Sequence, residues 1–201
     1  MLFYRVARAL VAIFNKLVFF VRVKGERKLP EGPVILCPNH ISFADPGAVA
    51  AAVDRRVTAL AKDSLFKKPV LGLILRWLGI IPVTRGKGDF AAVRTAVEAL
   101  KEDKVLMIFP QGTRCIGEYP NDSKVRGGAA MIAARTGASI VPVFIKTKDF
   151  RVRPFRRLEI TFGKAFKVES LYDGTNEKNF VELARLIFKR ITDLDSPGDG
   201  K

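Results

Sequence analysis

The sequence predicts an α/β fold: a mostly parallel central sheet flanked by helices, preceded by an amphipathic N-terminal helix that lies on a membrane surface. Short apolar runs alternate with helix-period stretches along most of the chain, the pattern of βαβ units. The runs, such as residues 33–37 and 140–145, are continuously apolar rather than alternating, as strands covered on both faces must be. The first helix is two-faced and carries its own basic residues.

At 100° per residue, residues 2–17 place Arg5, Arg8, Asn15 and Lys16 on one arc, with Ala9 and Ala12 between them. Leu2, Phe3, Val6, Ala7, Leu10, Val11, Ile13, Phe14 and Leu17 fill the opposite side. This composition suits a helix lying in the headgroup plane, polar arc to water. Uncharged stretches are too short for the roughly 20 residues a bilayer core requires. A core-packed first helix is the alternative. A secretory leader is not expected, because charges interrupt the apolar region and no small-residue cleavage site follows.

Residues 18–24 then read as a strand ending at Gly25, and 33–37 as a buried strand. Residues 46–53 form an alanine-rich helix, 57–61 a strand, 68–78 a helix closed by Gly79, and 79–83 a strand entering the loop 84–88. A helix over 89–100, a strand over 105–109, and a long polar loop over 110–126 follow. A helix over 127–136 and a strand over 140–145 come next, then a strand over 158–162 and an amphipathic helix over 176–194. The expected organisation is a membrane-association helix over 1–17, an α/β domain over 18–194 and a frayed tail over 195–201.

The 201 residues suffice for one domain with a sizeable core. Two well-separated cysteines, Cys37 and Cys115, make no disulfide framework and point to a reducing compartment. With one histidine they make no four-ligand zinc site, and no metal is expected. The net charge is +15, so an anionic partner is implied. Basic residues cluster at Arg5, Arg8, Lys16, Arg22, Lys24, Arg27 and Lys28, and again at Lys146, Lys148, Arg151, Arg153, Arg156 and Arg157. These are either solvated patches or two contacts with an anionic surface. A nucleic-acid-binding module fits the charge, but no RNP-like run or helix-turn-helix signature is present, and nucleic acid is not the expected partner. The stretch Gly86-Lys87-Gly88 fails the phosphate-loop pattern, and no G-x-S-x-G occurs.

In open parallel sheets, ligands bind beyond the carboxyl ends of the strands. The only histidine, His40, follows such a strand, and Asp45 lies five residues on. A carboxylate folded back onto the ring would hold one nitrogen protonated and leave the other as a base for an alcohol. Asp45 before Pro46 equally suits a helix start, with aspartate as cap. Arg85 and Arg114 follow two other strands, where two guanidinium forks could clamp a phosphate.

In this order the segments resemble the blocks of the glycerolipid acyltransferase family. Asn39 to Asp45 matches N-H-x-S-x-x-D in full, and Gly79 to Arg85 matches G-x-x-x-x-x-R. Phe109, Pro110, Gly112, Thr113 and Arg114 match F-P-E-G-T-R-S, and Pro142 matches the proline of the fourth block. Gln111 stands where that family has glutamate, and Cys115 where it has serine. A role needing the carboxylate would be lost; one needing only an acceptor would survive. The family's bacterial members have a two-helix anchor, and here the expected anchor is little more than one helix.

The resemblance implies a catalytic pair, His40 and Asp45, and a substrate-binding set of Asn39, Ser42, Arg85, Gln111, Gly112, Thr113, Arg114 and Lys124. Arg126 would help to hold a phosphate, and Gly112 and Thr113 could lend backbone donors. The implied reaction moves a fatty acyl group from a coenzyme A or acyl carrier protein thioester to the sn-2 hydroxyl of 1-acylglycerol-3-phosphate (lysophosphatidic acid). No cofactor is expected, and another lysolipid is the alternative acceptor. The expected location is peripheral, at the cytoplasmic face of an anionic membrane.

Overall fold

The computed structural model describes residues 2–84, 90–102, 104–120, 125–173 and 179–195. Eight strands form one sheet: β1 (Arg22–Gly25), β2 (Val34–Pro38), β3 (Val57–Lys62), β4 (Ile81–Val83), β5 (Val105–Met107), β6 (Ser139–Lys146), β7 (Glu159–Phe162) and β8 (Phe166–Lys167). The spatial order is β1-β7-β6-β2-β5-β3-β4, with β8 also paired to β6. β2 runs parallel to β5 and β6, β3 to β4 and β5, and β1 to β7. Among the described residues, only the β6 pairs with β7 and β8 are antiparallel. The expected mostly parallel α/β sheet is what the chain forms.

The helices are α1 (Leu2–Val18), α2 (Asp45–Ala51), α3 (Pro69–Trp77), α4 (Phe90–Lys101), α5 (Gly128–Thr136) and α6 (Phe180–Thr192). β2 lies between β5 and β6 and is buried along its whole length, which explains its unbroken apolar run. Its side chains split by parity. Ile35 and Cys37 join a core with residues of α4, α5 and α6, such as Ala96, Ile132 and Ile187. Val34 and Leu36 join Val49 of α2, Met107 and Ile160 on the other face. Local signals set several ends. Asn179 caps α6 by accepting from the Glu182 amide at 3.2 Å, and α5 stops at Gly137 in the left-handed region.

The chain departs from the sequence reading at β1 and β5. Residues 18–24 are not one strand: α1 runs to Val18, the Phe19 amide still donates to Asn15 O at 3.0 Å, and pairing begins only at Arg22. β-Branched composition was overridden there by continuation of the helix. The strand expected over 105–109 is shorter, although the Ile108 amide still donates to Leu36 O. Short 3₁₀ turns at Asp63–Leu65 and Val168–Leu171, and the two-residue β8, carry too little periodicity to be read from sequence.

α1 turns most of its apolar side outward and covers part of the arc expected to face water. Tyr4, Ala7, Arg8, Val11, Ala12, Asn15 and Val18 are its covered residues, and the helix packs on α2. The Arg8 guanidinium donates to Val53 O, two residues past α2, and the Tyr4 hydroxyl accepts from the Val57 amide at 2.8 Å. Arg8, Ala12 and Asn15, assigned to the wet arc, therefore face the protein. Val6, Leu10, Ile13, Phe14 and Leu17 face outward, each about half exposed or more. The close approach is possible because small residues meet: a Cβ on Gly47 would lie 3.3 Å from Val11 Cγ1. α3 is also outward-facing, with Val70, Leu73, Ile74 and Trp77 exposed and only Gly72 buried. No helix among the described residues is long and apolar enough to cross a membrane.

Candidate active site

β2 ends at Pro38, and the chain must turn sharply before α2. The turn is built on one carboxylate. Asp45 Oδ2 accepts from the amides of Ile41 and Ser42, both at 2.7 Å, and contacts His40 Nδ1 at 2.8 Å. Asp45 is completely buried, and these three bonds offset much of the desolvation cost of a buried carboxylate. Its Oδ1 is buried without a partner among the described residues. Asp45 is thus the first residue of α2, not its cap; Ala44 holds the cap position without a side-chain bond. The rival reading of the aspartate as an ordinary helix cap falls, because its oxygen is spent on the loop before it.

The contact with Oδ2 requires a hydrogen on Nδ1 and leaves Nε2 as the acceptor. The imidazole stacks on Phe109, centroids 4.0 Å apart and planes 27° from parallel. Carboxylate and phenyl together hold the ring in one orientation, and its side chain keeps 14% exposure. An imidazole so held can take a proton from an alcohol placed at Nε2, and the carboxylate stabilises the resulting imidazolium.

The loop after β5 is tied to the histidine turn. The His40 amide donates to Gln111 Oε1 at 2.6 Å, and the Cys115 amide donates to His40 O at 2.8 Å. Gln111 is buried. What the position supplies to the turn is a hydrogen-bond acceptor, which glutamine provides as well as glutamate. Gln111→Leu is therefore expected to cost about 1–3 kcal/mol, the penalty of an orphaned buried amide, read as a lower melting temperature. Gln111→Glu keeps the acceptor and should retain activity near the parent's.

Arg114 reaches the same rim. Its guanidinium carbon lies 3.4 Å above the Phe43 ring, three residues from His40. Stacking uses the face of the cation and leaves its in-plane N–H groups for an anion. Arg126 stands against Gly112: that residue has φ of +65°, and a Cβ there would come within 2.9 Å of Arg126 Cδ and Nε. Glycine adopts this turn without strain, and a larger residue would have to displace the Arg126 side chain. Cys37, three residues before His40, is no competing nucleophile, since complete burial pushes its thiol up to about 12.

Three of the expected substrate contacts have partners within the protein. Asn39 is fully buried; its side chain donates to Ile145 O at 2.9 Å and accepts from Ile145 N at 2.6 Å, locking β2 to β6. Ser42 Oγ accepts from the Ala44 amide at 3.1 Å within the turn. The Gly112 amide donates to Phe109 O at 3.0 Å, so it is not the available donor the sequence suggested. Thr113 is exposed on this rim. Arg85 and Lys124 lie outside the described residues. Sequence reading missed the Phe109 stack and the Phe43 platform. Both aromatics lie inside the recognised motifs, but their neighbours are set by the meeting of two distant loops.

Comparison with known proteins places these loops in a wider group. The family model described as Acyltransferase matches residues 20–146. A 1-acyl-sn-glycerol-3-phosphate acyltransferase of Borreliella burgdorferi is 32% identical over 136 residues, 65% of this chain and 53% of that protein. A lyso-ornithine lipid O-acyltransferase of Pseudomonas aeruginosa is 32% identical over 130 residues, 64% of this chain and 48% of that protein. The chain thus spans about half the length of these two relatives. The crystal structure of the 1-acyl-sn-glycerophosphate (LPA) acyltransferase PlsC from Thermotoga maritima shares the fold. It superimposes with a TM-score of 0.62 at 22% identity, over 94% of this chain and 80% of that one.

Proposed function

The chain belongs to the acyltransferase family, and on that premise we propose that it moves a fatty acyl group from a thioester to the sn-2 hydroxyl of 1-acylglycerol-3-phosphate, giving phosphatidic acid. The observation that carries this reading is the 2.8 Å contact between His40 Nδ1 and Asp45 Oδ2, beside a stacked arginine on the same rim. His40 Nε2 takes the hydroxyl proton, and the acceptor oxygen attacks the thioester carbonyl directly. The tetrahedral intermediate collapses with cleavage of the C–S bond. The departing thiolate recovers the proton from the imidazolium, so the histidine ends as it began. No acyl-enzyme is required.

Arg114, with Arg126, holds the acceptor phosphate by charge-assisted bonds; Arg85 and Lys124 are proposed to complete the clamp. The donor is a thioester of coenzyme A or of an acyl carrier protein, and the enzyme needs no further cofactor. The reaction takes place peripherally at the cytoplasmic face of an anionic membrane. What supports a surface reading is the outward apolar face of α1, edged by Arg5 and Lys16, together with the exposed residues of α3.

The deciding experiment offers the purified protein both thioesters, with lysophosphatidate and other lysolipids, and identifies the product by mass. Phosphatidate from neither thioester would refute the reading. One observation favours a second acceptor: the Pseudomonas relative, equally similar, is named for a lyso-ornithine lipid. Acylation of such a lipid in preference to lysophosphatidate would select that alternative. Under the first reading, Arg114→Ala should raise the KM for lysophosphatidate roughly ten- to a hundredfold, the loss of a charged hydrogen-bonding partner, with a smaller change in kcat. An unchanged KM would remove Arg114 from the clamp.

A further inference from the structure

Two exposed phenylalanines hold a backbone conformation that bulky L residues avoid. Phe20 has φ of +42° and Phe155 of +60°. The cause is a junction between distant segments. The Phe155 amide donates to Val18 O at 2.6 Å, the Leu158 amide to Phe19 O at 3.0 Å, and the Arg22 amide to Leu158 O at 2.9 Å. These bonds lay the chain leaving α1 beside the chain entering β7, with both phenylalanines at the junction.

Core packing does not account for them. Phe20 is 51% exposed and Phe155 71%. Phe150 makes the contrast: it also has positive φ, but its ring packs edge-on against Tyr119 and Phe144, at 5.4 and 6.3 Å between centroids. Strain that a packed ring rewards is ordinary. Strain that holds two aromatic rings in water calls for something to cover them.

The surroundings say what that is. The exposed apolar row of α1, ending at Phe14 and Leu17, reaches the junction, with Phe14 edge-on to Phe19 at 5.7 Å. Arg156 and Arg157, next to Phe155 in the chain, line a groove of about 650 Å³ with the rest of the second basic cluster, Lys146, Lys148, Arg151 and Arg153, and with two carboxylates, Asp149 and Glu159. Lys146 pairs with Asp195, and Arg153 with Asp149. Arg156 and Arg157 directly follow the exposed ring and are themselves exposed.

We propose that Phe20 and Phe155 form an aromatic wedge that enters an anionic lipid surface, while Arg156 and Arg157 engage the headgroup phosphates. Rings at the acyl boundary with cations at headgroup depth is the order a bilayer interface selects. The wedge extends the contact beyond α1 to the edge of the sheet, giving the enzyme two attachment points. The inference rests on the surface reading above and deepens it.

Strain supplies a test with a distinctive sign. Glycine adopts positive φ freely, so Phe155→Gly should leave the melting temperature unchanged or raised. The same variant should weaken partitioning to phosphatidylcholine–phosphatidylglycerol vesicles by about tenfold, the scale of an exposed phenylalanine losing its apolar burial. Phe155→Trp should bind vesicles at least as well as the parent. Replacing both Arg156 and Arg157 by alanine should remove most of the dependence on phosphatidylglycerol. If the parent binds vesicles and Phe155→Gly binds equally well, the wedge is wrong and the surface reading stands. If the parent does not bind, both fall. A marked drop in melting temperature would make Phe155 a structural residue. Arginine variants that raise the KM for the thioester, with partitioning unchanged, would assign the groove to the donor and overturn the proposal.

Discussion

Replacing His40 by alanine is expected to lower turnover roughly a thousandfold, the usual share of a positioned general base. Stability should change little. The His40 backbone, not its imidazole, makes the bonds to Gln111 Oε1 and Cys115 N that join the two loops, and alanine keeps both. The ring's stack on Phe109 is lost, but the turn stays braced by Asp45 and the Ile41 and Ser42 amides. The informative result is therefore a near-dead enzyme with an almost unchanged melting temperature. Turnover within a few-fold of the parent would remove the histidine from the chemistry.

Asp45→Asn should be almost as damaging, by a different route. A carboxylate can only accept, so Nδ1 must carry the proton. In the structure one oxygen, Oδ2, takes all three contacts, from Ile41 N, Ser42 N and His40 Nδ1, and Oδ1 is buried without a partner among the described residues. An asparagine with its oxygen at the Oδ2 position keeps these contacts and the tautomer and puts its NH2 where Oδ1 lies. What is lost is the negative charge that stabilises the imidazolium, so turnover should fall roughly a hundred- to a thousandfold, the scale of a unit charge about 4 Å away at an effective dielectric near 20. The fold should survive this change with a modest loss, because the amide oxygen still receives the turn. Asp45→Ala should not be so mild, since it removes the acceptor for two backbone amides in a fully buried position; each orphaned donor costs about 1–3 kcal/mol. The pair of variants separates the two duties of one residue: asparagine slows the enzyme with the fold kept, and alanine lowers the melting temperature as well. An Asp45→Asn enzyme as active as the parent would show that the carboxylate's charge takes no part in the chemistry.

Much of this site could be read before any coordinates. The five-residue spacing from His40 to Asp45 survives because it is local: a turn between a strand and a helix can close on one carboxylate wherever the rest of the chain lies. The strand pattern was legible for a similar reason, since β2 and β6 are buried on both faces and are therefore continuously apolar over residues 34–38 and 140–145. Other parts were not. Asn39 stands in the same motif as His40 and, by its chemistry, could as well touch substrate. Only the arrival of β6, a hundred residues later, shows that Ile145 takes both ends of its amide. Gln111 is similar: whether its position needs a charge or an acceptor depends on the His40 amide lying 2.6 Å away.

The N-terminal helix marks the boundary between the two kinds of knowledge. Sequence by itself determined that residues 2–17 are two-faced, because that follows from a period of 3.6 residues and from composition. It could not determine which way the faces point. That was decided by α2, whose surface at Gly47 accepts small side chains closely, and by Val53 O, which takes the Arg8 guanidinium. A helix periodicity fixes the relative angle of its residues, but the direction of those angles in space belongs to whatever the helix packs against. Here that partner turns leucine, isoleucine and phenylalanine outward, and this exposed apolar face is a consequence of tertiary packing.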